Sequence, residues 1–61
     1  MKRRDLIRQI EGEGCYLLRH GSRHDVYVNP KNSMKQPIPR HREVDDNLVK
    51  HIKKYLGLET K

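Results

Sequence analysis

The stretch that decides the fold is Gly21-Ser22-Arg23-His24-Asp25-Val26-Tyr27-Val28-Asn29-Pro30. Its first two residues tolerate tight backbone geometry and predict a turn, and its closing Asn-Pro pair predicts another. The residues between them have the composition of a strand, on which successive side chains point to opposite faces. His24, Val26 and Val28 therefore share one face of the predicted strand, whereas Asp25 and Tyr27 share the other.

Four further segments surround this central strand, which we place at residues 23–29. The spacing of Leu6, Ile7 and Ile10 predicts a first helix over residues 2–11, ended by the glycines that follow it. A strand over residues 15–20 is expected to form a hairpin with the central strand through the short turn. A third strand, over 34–39, belongs at a sheet edge or breaks near Pro37, because proline cannot donate to a strand ladder. Apolar residues four apart predict a second helix over 43–56, ended by Gly57.

Two of these segments carry predictions about burial. Regular alternation on the first strand places Cys15, Leu17 and Arg19 on one face and Tyr16, Leu18 and His20 on the other. The apolar stripe of the second helix consists of Val44, Leu48, Ile52 and Leu56, widened by Val49 and Tyr55. Cys15 is expected to be a small buried hydrophobe rather than a reactive thiol. Residues 59–61 are expected to be a frayed tail.

The predicted order is helix, three antiparallel strands, helix. Amphipathic helices laid across one face of a small sheet give a two-layer α+β domain of αβββα type, whose other sheet face stays open. The chain has 61 residues, which is the length of one domain with a small core.

The charge balance narrows the classes of partner. Lys and Arg number 14 against 8 Asp and Glu, for a net charge of +6. Such a balance on a small domain is typical of a protein that binds a phosphate backbone, and it also suits an acidic protein partner. A single cysteine favours a reducing, cytoplasmic location. We expect no secretory leader and no membrane span, because the chain has no long apolar run.

A family resemblance is carried by the run Arg19-His20-Gly21-Ser22-Arg23-His24, which resembles the Arg-x-x-Gly-Ser-His signature of the HicA family of toxin ribonucleases. The Asn29-Pro30 turn, the run Ile38-Pro39-Arg40-His41 and the closing Leu56-Gly57-Leu58 also fit that family. The resemblance implies a fold like a double-stranded-RNA-binding domain, cleavage of mRNA, and inhibition by a HicB-like antitoxin protein. Arg23 is inserted between Ser22 and the histidine, and counting back from Pro30 places His24 at the family's essential position.

Cleavage of RNA without a metal needs a base that takes the proton of a ribose 2′-hydroxyl. An imidazole suits this task because its ordinary pKa of about 6.5 lies near the working pH. We therefore assign the general base to His24, with Arg23 beside it to bind phosphate, and we expect no metal and no cofactor. The general acid is not identified: His20 and His41 are candidates for it or for a phosphate contact, and His20 is interpreted as a residue at the rim of the site. The residues predicted to contact RNA are Arg23, Arg40, His41, Arg42, Lys50, Lys53 and Lys54.

Asp25 and the tyrosines are interpreted without a catalytic role. Asp25 is read as a solvated strand residue, because adjacent side chains on a strand point to opposite faces. The three tyrosines are expected to pack in the fold, Tyr27 being the one able to stack on a base.

Two functions compete with the toxin ribonuclease. One is a non-catalytic module of the double-stranded-RNA-binding type, which has the same fold and performs no chemistry. The other is a small interaction protein whose basic surface serves an acidic partner. Cleavage of RNA that depends on His24 separates the first hypothesis from both.

Overall fold

The computed structural model describes residues 1–58 and has the predicted order of elements. These elements are α1 (Arg3–Gly12), β1 (Tyr16–His20), β2 (His24–Asn29), β3 (Met34–Pro39) and α2 (Asp46–Tyr55). The strands form an antiparallel sheet in the order β1-β2-β3, so β3 lies at an edge, where its prolines are tolerated. The α+β architecture is thus confirmed, and the tail predicted at 59–61 lies outside the described residues.

The core fills the space between the two helices and one face of the sheet. Its buried side chains are Leu6, Ile10, Cys15, Tyr27, Ile38, Val44, Val49, Ile52 and Leu56. Burial is the main cause that raises the pKa of the Cys15 thiol, in keeping with its predicted role as a buried hydrophobe. Tyr27 lies in this core, which confirms that it packs in the fold and leaves it unable to stack on a base.

An extra residue in β1 changes which of its side chains face the helices. Leu17 pairs with Tyr27 and Arg19 pairs with Val26, so the pairing skips Leu18. Such a β-bulge shifts the alternation by one residue. Arg19 therefore shares the open face of the sheet with Val26, and the regular alternation predicted for this strand is wrong beyond Leu17.

The glycines that follow the helices end them as predicted. After α1, the Cys15 amide donates to the Ile10 carbonyl and the Gly14 amide donates to the Glu11 carbonyl, both at 3.0 Å. The same pair of bonds closes α2 around Gly57. The two turning glycines have φ values of 100° and 74°, in the left-handed region that side chains disfavour.

The second helix begins three residues later than predicted. The Asp45 carboxylate accepts a hydrogen bond from the Asn47 amide (3.0 Å) and caps the helix that starts at the next residue. Val44 precedes the helix, although it is buried. Leu48 and Tyr55 are exposed, because a turn of 3.6 residues places them at the flank of the buried stripe. Their assignment to the core is therefore wrong.

We predict that Leu6→Ala destabilises the protein far more than Leu48→Ala does. Leu6 is 0% exposed and Leu48 is 37% exposed, and both lie within helices. Removing the buried side chain should cost about 2–5 kcal/mol, against roughly 1 kcal/mol or less for the exposed one. Urea unfolding followed by circular dichroism measures both. Equal losses would contradict the assignment of the core.

Candidate active site

His24 is exposed at the first position of β2, directly after the turn that follows β1. The residues that alternate with it, Asp25 and Tyr27, point toward α1 and the core. Side-chain alternation therefore places His24 on the open face of the sheet. Arg19 reaches the same face through the bulge. It lies diagonally across from His24, since its strand partner is Val26.

Asp25 is the centre of the polar network beneath this turn. Its side chain is 10% exposed, so its interpretation as a solvated strand residue is wrong. Its carboxylate accepts hydrogen bonds from Arg3 Nη2 (2.7 Å) and Arg40 Nε (2.9 Å) and lies 2.8 Å from His20 Nδ1. We call Asp25 and these three partners the Asp25 cluster. It joins α1, β1, β2 and the segment after β3 at one point.

The Asp25 cluster keeps its carboxylate ionised. The hydrogen bond with His20 is the largest cause, and that from Arg40 comes next. Together with the attraction of these two groups, they lower the pKa of Asp25 from 3.8 to about 2, although burial raises it. An ionised carboxylate only accepts hydrogen bonds, so His20 Nδ1 carries the proton of the His20–Asp25 bond. His20 is 70% exposed, which leaves its Nε2 side open to solvent.

The turn before His24 is held in place from two sides. Arg40 donates from its terminal nitrogens to the carbonyls of Gly21 and Ser22. Gly21 also approaches the backbone of His24 closely, since its amide donates to the His24 carbonyl at 2.6 Å. A Cβ atom at position 21 would lie 2.7 Å from that carbonyl oxygen. Glycine is thus required here by the close approach rather than by a left-handed conformation.

Four of the predicted RNA contacts lie at the same end of the sheet as His24. Arg23 is exposed in the turn, and His41 and Arg42 are exposed in the connector to α2. Arg40 follows Pro39, the strand partner of His24. Its guanidinium donates hydrogen bonds to Asp25, Gly21 and Ser22. It therefore holds the turn in place and still has N–H groups that these bonds do not use.

The three lysines of α2 lie elsewhere. The end of α2 is tied to the opposite end of β2, since Asn29 Nδ2 donates to the Leu56 carbonyl at 2.7 Å. Lys50 and Lys54 are exposed on the helix, whereas Lys53 is half-buried and donates to Gln9 of α1. The structure therefore does not bring these lysines to His24.

Two further findings concern the described residues. Residues 1–58 contain no group of three His, Cys, Asp or Glu side chains placed to hold a metal ion. None of the helices in that range has the length and apolar character needed to cross a membrane.

The fold and the site define a small basic α+β domain with a cationic end around an exposed histidine. The chain belongs to the HicA toxin family: the family model described as HicA toxin of bacterial toxin-antitoxin matches residues 3–58. The protein is therefore a toxin of a toxin–antitoxin system, from a family whose members are generally ribonucleases. Searches of curated proteins and of solved structures found no match.

We predict that Gly21→Ala lowers the free energy of unfolding by about 1–3 kcal/mol, because the added methyl group forces the His24 carbonyl to move. Gly12→Ala is the matched control. A Cβ at Gly12, the last residue of α1, has open space around it. That variant should be neutral or more stable by up to roughly 1 kcal/mol. Urea unfolding compares them, and an unchanged Gly21→Ala protein would contradict the close approach.

We predict that Asp25→Asn lowers the thermal unfolding midpoint at pH 7 and weakens its dependence on acid. The folded-state pKa of Asp25 is depressed from 3.8 to about 2. Its contribution is therefore fully present above the unfolded-state value and is lost as pH falls through about 4 to 2. Midpoints measured from pH 7 to pH 2 should fall less steeply in the variant. Glu11→Gln, at an exposed site on α1, controls for loss of a carboxylate. If the unfolding midpoints of the native protein and of Asp25→Asn fell equally between pH 4 and pH 2, the prediction would be contradicted.

Proposed function

We propose that this toxin is an endoribonuclease that cuts mRNA through attack of a ribose 2′-hydroxyl, with His24 as the general base. The observation that carries the proposal is the exposure of His24 on the open face of the sheet, where neither helix of the described chain covers it. The resemblance to the family signature assigns the essential histidine to this position. An RNA strand has free access to it from that side.

The cleavage step transfers two protons, forms one bond to phosphorus and breaks another. His24 takes the proton of the 2′-hydroxyl, and the 2′-oxygen forms a bond to the adjacent phosphorus. The bond from phosphorus to the 5′-oxygen then breaks, and that oxygen receives a proton. The products are a 2′,3′-cyclic phosphate and a 5′-hydroxyl.

Two arginines lie where they could stabilise the negative charge that builds on the phosphoryl oxygens. Arg19 lies on the open face diagonal to His24, and Arg23 is exposed in the turn immediately before it. Guanidinium groups offer paired donors that match phosphate oxygens. Preorganised cations of this kind are often the largest contribution that a protein makes to such a reaction.

The general acid that protonates the leaving 5′-oxygen is best assigned to His20. Its Nδ1 is fixed by Asp25 (2.8 Å), and a carboxylate in this position orients an imidazole and presents its other nitrogen. His20 pairs with Asp25, the residue next to His24, so both imidazoles lie at one end of the sheet, His24 on the open face and His20 on the face of Asp25. A scissile phosphate that contacts both must therefore lie around this end of the sheet. His41, the other candidate, is exposed in the connector, and it makes no side-chain hydrogen bond within residues 1–58.

Regulation by a partner follows from membership of the family. A HicB-like antitoxin is proposed to hold the toxin inactive, either by covering His24 or by keeping RNA away from the cationic end. The protein's strong positive charge, +6, favours an acidic surface on that partner.

We predict that His24→Ala reduces the rate of RNA cleavage by about 10²–10⁴-fold, the range that one general base supplies. His51→Ala, a change at an exposed histidine of α2 that stacks on Tyr55, should cleave at the native rate. Cleavage of an end-labelled transcript by the purified proteins measures both, and mass analysis of the products identifies their ends.

Each alternative outcome has a distinct meaning for this proposal. Binding of RNA without any cleavage by the native protein would favour the non-catalytic module. Products with a 5′-phosphate that form only with added magnesium would exclude the 2′-hydroxyl route. Equal activity of the native and His24→Ala proteins would remove His24 from the mechanism.

A further inference from the structure

A second cationic surface adjoins the candidate active site on the helix side of the sheet. It is a groove of about 550 Å³, and its lining among the described residues is Lys2, Arg3, Arg4, Arg40 and Arg42. We call it the α1 groove. The start of α1 supplies three of these residues and the connector after β3 supplies two. The Arg3 amide donates to the Arg42 carbonyl at 2.8 Å and holds the two segments together.

The positive charge of the α1 groove is only partly neutralised by nearby acidic side chains. Asp25 pairs with Arg3 and Arg40 and offsets one of the five charges. Lys2, Arg4 and Arg42 form no ion pair with any acid of residues 1–58. Like charges held this close repel one another, and the repulsion is relieved when an anion binds between them.

The start of α1 also departs from what helix stability favours. Lys2 occupies the N-cap position of α1 and makes no side-chain capping bond within the described chain. Two arginines follow it ahead of Asp5, the acidic residue of that first turn. The arginines oppose the partial positive charge at the N-terminal end of the helix. The other helix starts with the capping Asp45 and the acidic Asp46. The start of α2 thus follows the preference for a capping side chain and acidic residues, and the start of α1 departs from it. A functional requirement is the expected reason for such a departure.

The α1 groove is continuous with the candidate active site. Arg40 lines the groove and also donates to the carbonyls of the turn before His24. The residue before it, Pro39, is the strand partner of His24 and accepts a hydrogen bond from Arg3 Nε at 2.8 Å. A flexible strand of phosphates that leaves His24 reaches the groove by passing around this end of the sheet, where Arg40 lies.

We propose that the α1 groove binds phosphate groups of an RNA strand whose scissile nucleotide lies at His24. The inference rests on the proposed function for the location of the cut and adds an anchoring site away from it. The groove contacts the backbone and reads no base, as cationic contacts to phosphate do. Among residues 1–58, its lining has no apolar or aromatic centre of the kind found in an interface with a protein, so RNA is the favoured occupant.

A binding experiment tests the α1 groove with a strand that cannot be cut. The probe is a fluorescent 2′-O-methyl oligoribonucleotide, in which the nucleophilic hydroxyl is blocked. The test variant is Lys2→Gln/Arg4→Gln. Its control is Arg8→Gln/Lys31→Gln, which removes the same charge at exposed sites outside the groove. Fluorescence anisotropy gives the dissociation constant over a series of salt concentrations.

We expect the test variant to bind roughly tenfold more weakly at moderate salt. Its slope of log affinity against log salt should be smaller by about 1.4, the loss of two contacts at about 0.7 each for a single strand. The control should lose less than half as much in both quantities. The thermal unfolding midpoint of the test variant should equal or exceed the native value, because the removed cations oppose the helix dipole.

Three results would overturn the inference. Equal losses in the two double variants would show a general effect of net charge. A lower unfolding midpoint in the test variant would show that Lys2 and Arg4 serve the fold. Unchanged RNA binding with weakened binding of poly-L-glutamate would assign the groove to an acidic protein. Because the probe cannot be cleaved, a groove effect without any cleavage of natural RNA by the native protein would retain the groove and reject the proposed function.

Discussion

A single buried carboxylate, that of Asp25, determines the geometry of the functional end of this protein. It receives Arg3 from the first helix, His20 from the first strand and Arg40 from the segment after the third strand. A charge taken out of water is tolerated only when its partners are close and its oxygens are satisfied. The folds of three separate segments are therefore coupled to one another here. Arg40 also donates to the carbonyls of the turn before His24. The position of that turn therefore depends on the same contacts with Asp25.

Charge is distributed so that stability and binding are served by different parts of the chain. At the start of α2, Asp45 caps the helix and stabilises it. At the start of α1, Lys2 and Arg4 oppose the helix dipole and line the α1 groove instead. Small domains have little stability to spare. The burial of side chains such as Leu6, on the same helix, offsets the unfavourable start of α1.

Much of the fold follows from local sequence signals, whereas the network beneath the site does not. Glycines after each helix and the prolines of β3 predict the ends and the edge strand correctly, because those effects act within a few residues. The bulge at Leu18 has no such local signal, and it alone moves Arg19 to the face of His24. Strand alternation correctly separates Asp25 from its neighbour His24, but it gives no sign that the Asp25 side chain is buried. Its partners Arg3 and Arg40 are distant in sequence, so no local pattern indicates them.

The central claim is that Asp25 is ionised and held by cationic partners beneath the turn that carries His24. The most direct measurement is an NMR titration of the Asp25 side-chain carboxyl carbon in the folded protein. We predict an apparent pKa of about 2 for this carboxyl group. A pKa at or above the ordinary value of about 3.8 would show that Arg40 and His20 do not hold this carboxylate. The arrangement of the site described here would then be contradicted.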